Sequence, residues 1–229
     1  MKRVFALIAI ALFATGAAKK PAARVPAARD WTKTVGRTAD GAYMIGNPAA
    51  KVRLIEYASY TCPHCAHFAA ESESVLKRQM VRSGRVSMIF RHALRDPMDL
   101  TAALLARCTR TGFSSASDAI FAAQGEWEKR GATYLNDNNA QIAAISQDAQ
   151  LKAIATGSGL RALMRKRGLT NARIDACLAD ASEQAVLAKM ADDAWATIKG
   201  TPTFVLDGTQ IDMATWETLE PLLRAAGAK

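Results

Sequence analysis

Cys62 and Cys65 stand two residues apart in Cys62-Pro63-His64-Cys65, a spacing that serves disulfide exchange, metal binding or a local staple. The segment lies where a β-branched and aromatic run, Lys51 to Tyr60, gives way to helical periodicity from His64 to about Arg82. Cys62 therefore falls at a helix N-terminus, where unpaired N–H groups and the positive end of the helix dipole favour a thiolate. Pro63 holds the first helical turn, where its missing donor costs nothing, and His64 adds a polar or cationic neighbour. A stabilised thiolate stabilises the reduced pair, so the corresponding disulfide is readily passed to another thiol. Cys65, one turn inward, is the more shielded sulfur. The competing chemistries are weaker. A zinc site wants four ligands, typically from two separated pairs; His64 and His67 are near, but no second Cys-x-x-Cys exists, and no metal is expected. A loop this short constrains little of the unfolded chain, which argues against a purely structural bond.

Two further groups belong with the pair. Glu56 precedes Cys62 by six positions on the same strand, and its parity allows it either to sit beneath the strand end, where a carboxyl could relay a proton to Cys65, or to stand as an exposed edge acid. Gly200-Thr201-Pro202-Thr203 precedes a late strand; a proline there suits a tight turn, cis in one of its forms, that leaves backbone groups free to pair with an extended peptide. Of the three pairings open to four cysteines, Cys62 with Cys65 and Cys108 with Cys177 is the economical one, since the latter two lie far apart in helical stretches. That second bond would close a loop spanning those helices and contribute roughly 4 kcal/mol in the chain-entropy model.

The elements that position these groups follow from periodicity. Strand Lys51 to Tyr60, the helix from His64 and a second strand, Arg85 to Arg91, form a βαβ unit, closed at the helix end by Ser83-Gly84. From Met98 to about Lys199 the pattern is helical: Leu100 to Arg107, Ser117 to Trp127, Ala140 to Ala155, Leu160 to Arg167, Arg173 to Ala179 and a longer run to Ile198. Strand character returns at Thr203 to Asp207, followed by the turn Asp207-Gly208, a short strand around Thr209 to Met213, and a closing helix, Trp216 to Ala226. Trp127 and Trp195 are assigned to the core. The fold class is α/β with an inserted all-helical domain. The expected divisions are a signal peptide at 1–18, a linker at 19–42, a first α/β part at 43–97, a helical insertion at 98–199 and a second α/β part at 200–229.

The chain has 229 residues, of which 50% are hydrophobic and 22% charged, enough apolar content for a sizeable core and too much for disorder. Lys2 and Arg3 precede the apolar run Val4 to Phe13 and the small residues Ala14 to Ala18, the pattern of a secretory signal, and the run is too short to span a bilayer. Export is expected to place the protein in the periplasm, tethered to the membrane if the signal stays uncleaved, and this oxidising compartment suits an even cysteine count. Lys19 to Asp30, rich in Ala, Pro and basic residues, reads as an extended linker. The net charge of +9 is scattered without a nucleic-acid recognition motif, so no nucleic acid partner is expected; attraction to an anionic membrane surface or acidic client chains fits better.

Cys62-Pro63-His64-Cys65 behind Glu56 and a strand, a helical insert, and Thr201-Pro202 before a late strand together resemble the DsbA family of thiol:disulfide oxidoreductases, over about Tyr43 to the C-terminus. The resemblance implies a thioredoxin fold, an exposed nucleophilic Cys62, a buried Cys65, a buried acid at Glu56 and a cis-proline at Pro202 that with Thr201 seats the client peptide. It also implies a monomer without cofactors that oxidises unfolded exported proteins carrying cysteine pairs, and reoxidation by a membrane quinone-linked partner resembling DsbB. The Pro63-His64 dipeptide is that of strongly oxidising members. Thr201 departs from the Val often found before that proline and resembles the isomerase and related branches. Cys108 and Cys177 resemble the second disulfide of members that carry one in the helical domain.

Overall fold

A computed structural model describes residues 29–228. The expected signal peptide and most of the expected linker lie outside these residues. A mixed sheet of six strands in the order β1-β2-β4-β3-β5-β6 runs through the α/β part. Its strands are β1 (Val35–Arg37), β2 (Tyr43–Gly46), β3 (Val52–Ala58), β4 (Val86–His92), β5 (Thr203–Leu206) and β6 (Thr209–Asp212). Strand β3, which leads to Cys62, is central, paired parallel with β4 and antiparallel with β5. Its Val52, Leu54, Glu56 and Ala58 all point into the core, as the period of a strand requires. Asp207 (φ 48°) and Gly208 (φ 90°) both take the left-handed backbone that a two-residue hairpin between β5 and β6 demands.

Three differences from the sequence reading concern this layer. The described end of the expected linker 19–42 is structured: Trp31–Lys33 forms a 3-10 turn and Val35–Arg37 is an edge strand, paired with Tyr43–Ile45. Its pairing is made by backbone, and Trp31 seats against Gly84, so no hydrophobic period announces it. The expected single helix 64–82 is α1 (Pro63–Ser72) followed by a π-helical segment (Glu73–Val81), whose wider turn still buries Leu76, Met80 and Val81. Trp127 is buried, but Trp195 is 40% exposed, its indole N–H donating to the Leu94 carbonyl at 2.9 Å from the solvent side of its helix end.

The helices of the insert are α2 (Pro97–Cys108), α3 (Phe113–Ala122), α4 (Gln124–Asp137), α5 (Asn139–Ala143), α6 (Gln147–Gly157), α7 (Leu160–Arg165), α8 (Asn171–Leu178) and α9 (Ala181–Trp195), with α10 (Trp216–Ala225) closing the chain. They share one core with the sheet. Phe113 of α3 stacks on Tyr43 of β2 at 4.1 Å between ring centroids, and Phe121 meets Tyr60 at 4.8 Å. Helix α9 returns to the sheet, with Met190 against Ala42 and Ile89, and Ala194 and Ile198 against Ala93 and Tyr57. A disulfide joins Cys108 at the end of α2 to Cys177 in α8, with Cα atoms 5.8 Å apart across a sequence separation of 69.

Candidate thiol site

Where β3 ends, Ser59 to Thr61 turn the chain so that Cys62 becomes the N-cap of α1, with Pro63 at the first helical position. Cys62 and Cys65 are free thiols in this structure. The Cys62 thiol lies 3.2 Å from the Thr201 carbonyl, to which it donates. Once ionised, Sγ instead accepts hydrogen bonds, and this side of the balance wins: the Cys62 pKa is lowered to about 5. The largest cause is the hydrogen bond from the Cys65 thiol; burial opposes it, and the Thr201 side chain and the backbone N–H groups of Cys65 and His64 add to the lowering. Cys65 is fully buried and its pKa is raised, first by that burial, then by its bond to Cys62 and by the negative charges of Cys62 and Glu56. The two sulfurs thus divide the labour that neither could perform alone: one holds charge, the other holds the proton.

Cys62 departs from the expected exposure, since only 4% of its surface is accessible. The Thr201–Pro202 loop closes over it, whereas Pro63 and His64 remain exposed. The Thr201–Pro202 peptide bond is cis, and both residues are buried at the start of β5.

Glu56 sits in register between Phe90 of β4 and Phe204 of β5, below the helix N-terminus. Burial raises its pKa to about 8; the Lys77 ammonium opposes this and the Cys62 charge adds to it. Lys77, in the π-helical segment, pairs with Asp118 of α3 and donates to the Ser114 carbonyl. Glu56 and Lys77 line a small cavity of about 50 Å³ together with Ser72, Ser117, Asp118 and apolar side chains that include Phe68 and Phe90.

Lys77, Arg95, Asp96, Asp99 and Gln124 take part in this site without having been singled out in the sequence. Asp96-Pro97-Met98-Asp99 has the form of a helix start, and Asp96 does cap α2 by accepting from the Asp99 N–H at 2.9 Å. Nothing local says that the Asp99 carboxylate turns inward to accept the Tyr60 N–H at 2.8 Å and the Arg95 N–H at 3.1 Å. Burial raises the Asp99 pKa to about 7, against the Ser59 hydroxyl and Tyr60 N–H bonds that favour its charge.

A family model described as thioredoxin matches residues 38–225. The crystal structure of a protein-disulfide isomerase from Novosphingobium aromaticivorans is 34% identical and superposes with a TM-score of 0.75, covering 82% of this chain and 98% of its own. Wolbachia pipientis alpha-DsbA1 shares the fold at 19% identity, with a TM-score of 0.66 over 83% of this chain and 92% of its own. A Rickettsia prowazekii protein named as a protein-disulfide oxidoreductase is 29% identical over 118 residues, 51% of this chain and 42% of that protein. Its Rickettsia typhi counterpart is 30% identical over the same shares. The chain spans less than half the length of these curated relatives. With a family match running from the first sheet hairpin to the last helix, and a helical layer set into the sheet as in these structures, the chain belongs to the thioredoxin family and has the DsbA-like form of its fold.

Proposed function

We propose that this chain is a thiol:disulfide oxidoreductase that donates a Cys62–Cys65 disulfide to exported client proteins carrying cysteine pairs. The observation that carries the reading is the division between the sulfurs: Cys62 is held as a thiolate by bonds from Cys65, Thr201 and the helix N-terminus, while Cys65 is buried and kept protonated. A client thiolate attacks Cys62 Sγ; the Cys62–Cys65 bond breaks, a client–Cys62 bond forms, and the electron pair leaves on Cys65. Cys65 then takes up a proton, for which Glu56, with its raised pKa, is the adjacent source. The client's second thiolate attacks the client sulfur and expels Cys62 as a stable thiolate, so the client is oxidised and the pair reduced. Thr201 and cis-Pro202 present backbone groups to an extended client beside Cys62.

Periplasmic location rests on the signal pattern of residues 1–18, and reoxidation by a DsbB-like membrane quinone-linked oxidase rests on the resemblance to the DsbA family. A monomer suffices for this chemistry, since Glu56, Cys62, Cys65, Thr201 and Pro202 come from one chain. A second reading, isomerase or reductase on the same fold, is favoured by the likeness to the Novosphingobium aromaticivorans protein-disulfide isomerase and by Thr201 before the cis-proline.

The test is equilibration of the protein across a glutathione redox series, with acid quench, alkylation and peptide mapping of Cys62 and Cys65. A pair that stays reduced until the buffer is strongly oxidising is expected. A pair that remains oxidised in reducing buffer refutes the donor. Refolding of a scrambled disulfide substrate separates donor from isomerase, and Cys62→Ser is expected to abolish both activities.

A further inference from the structure

The turn that presents Cys62 is held by Ser59, by Arg95 just before α2, by Asp99 within it, and by Gln124 of α4. The Tyr60 N–H donates to Asp99 at 2.8 Å, the Thr61 carbonyl accepts from Arg95 at 3.0 Å, and the Thr61 N–H donates to the Ser59 hydroxyl at 3.2 Å. The two remaining carbonyls, of Tyr60 and Cys62, accept from one group: Gln124 Nε2, at 2.7 and 2.8 Å. Gln124 opens α4, is buried to 5% exposure, and faces two oxygens that can only accept, which dictates that its amide presents the NH2 side. The Cys62 N–H closes the turn on the Ser59 carbonyl at 3.2 Å, so every backbone polar group from Tyr60 to Cys62 has a partner.

We propose that Gln124 is a positioning residue for the thiol chemistry: by gripping the carbonyls of Tyr60 and Cys62 together, it sets the Cys62 peptide so that Sγ faces the His64 and Cys65 amides. This rests on Cys62 being the exchanging sulfur. The geometry gives the reason. The Cys62 carbonyl direction is its ψ angle, 117° here, and that torsion also fixes where the following amides stand relative to the side chain. The same carbonyl accepts the first helical bond, from Ala66 at 3.2 Å. Without Gln124 the buried Tyr60 carbonyl has no partner, and the turn must move to find one. Because Gln124 belongs to the insert while the amides belong to α1, the helical layer acts on the sulfur through the backbone and needs no contact with the client.

The experiment compares Gln124→Leu and Gln124→Glu with the unaltered full chain. Circular dichroism reports the fold, ultraviolet thiolate absorbance reports the pH titration of Cys62, and a glutathione series reports the redox equilibrium. Gln124→Leu, which keeps the volume and removes both donors, is expected to lower the thiolate fraction on the acid limb about tenfold, and to shift the glutathione equilibrium about tenfold toward the disulfide. Gln124→Glu keeps one donor while its carboxyl is protonated, so its acid limb is expected between the other two; once ionised the carboxyl only accepts and adds a negative charge, so the curve drops to the leucine curve or below it. A folded Gln124→Leu that titrates and equilibrates like the unaltered chain overturns the proposal. If the leucine variant does not fold, Gln124→Glu decides: unchanged titration and unchanged equilibrium overturn it equally. Oxidation of a reduced dithiol peptide by the unaltered chain is measured alongside. Failure of that reaction refutes the functional reading, whereas the titrations speak only to Gln124.

Discussion

Thr201→Val isolates one contribution to the reactivity of Cys62. The substitution keeps the shape of a buried side chain and leaves the backbone carbonyl, which accepts from the neutral thiol at 3.2 Å, in place. It removes the hydroxyl that favours the thiolate. A hydrogen bond to a charged group contributes about 1.5–3 kcal/mol, and the bonds that the thiolate keeps from Cys65 and the helix N–H groups return part of it, so a net loss of ~1.4 kcal/mol is expected. That raises the Cys62 pKa by about 1, from its present value of about 5. The disulfide form carries no charge at this sulfur, so the loss falls on the reduced form alone and lowers the two-electron potential by about 30 mV. Thiolate absorbance against pH reads the first effect and glutathione equilibration the second. A folded variant with an unmoved titration curve would refute the reasoning, as would a pKa that falls. A raised pKa with an unchanged potential would show that the reduced form is stabilised by something other than its charge.

Other expectations follow from the same groups. The folded pKa of Cys62, about 5, lies below the ordinary thiol value, so its contribution to the reduced protein is full above the unfolded pKa and lost as pH falls through about 5. Denaturant melts of the two redox forms are expected to show the reduced form's relative stability shrinking by about 2–3 kcal/mol between pH ~7 and pH ~4, and a constant difference would contradict the assignment. Glu56→Gln removes one of the charges that hold the Cys65 pKa up, so that pKa is expected to fall, and the oxidation rate to lose its dependence on a group titrating near 8; a pH–rate profile that keeps this limb would exclude Glu56 as the proton source. Cys108→Ser with Cys177→Ser opens a loop across a sequence separation of 69 and is expected to reduce stability by roughly 4 kcal/mol while the active-site potential stays put. A shifted potential would instead tie that bond to the thiol site.

What the sequence determined by itself is local. A buried strand running into Cys62-Pro63-His64-Cys65 put the first sulfur at a helix N-terminus, because strand and helix periods and the proline at the first helical position are read within a dozen residues. The parity of Glu56 along β3, the turn at Asp207-Gly208 and the helical run between the two α/β parts were legible for the same reason. Tertiary structure decided the rest, since those groups meet from distant parts of the chain. Thr201 reaches Cys62 across 139 positions, Gln124 reaches it across 62, and Asp99 reaches Tyr60 across 39. None of the three has a sequence period that marks which way its polar atoms turn. Edge strand β1 forms through backbone pairing that apolar pattern does not record, and Trp195, whose residue type suggested core, is left at the surface by the end of α9. The closeness of the Thr201–Pro202 loop likewise covers a sulfur that its place in the chain alone would leave open. Local order follows from steric and hydrogen-bonding preferences of neighbouring residues, whereas the charge on a buried sulfur depends on every dipole that packing brings within a few ångströms of it.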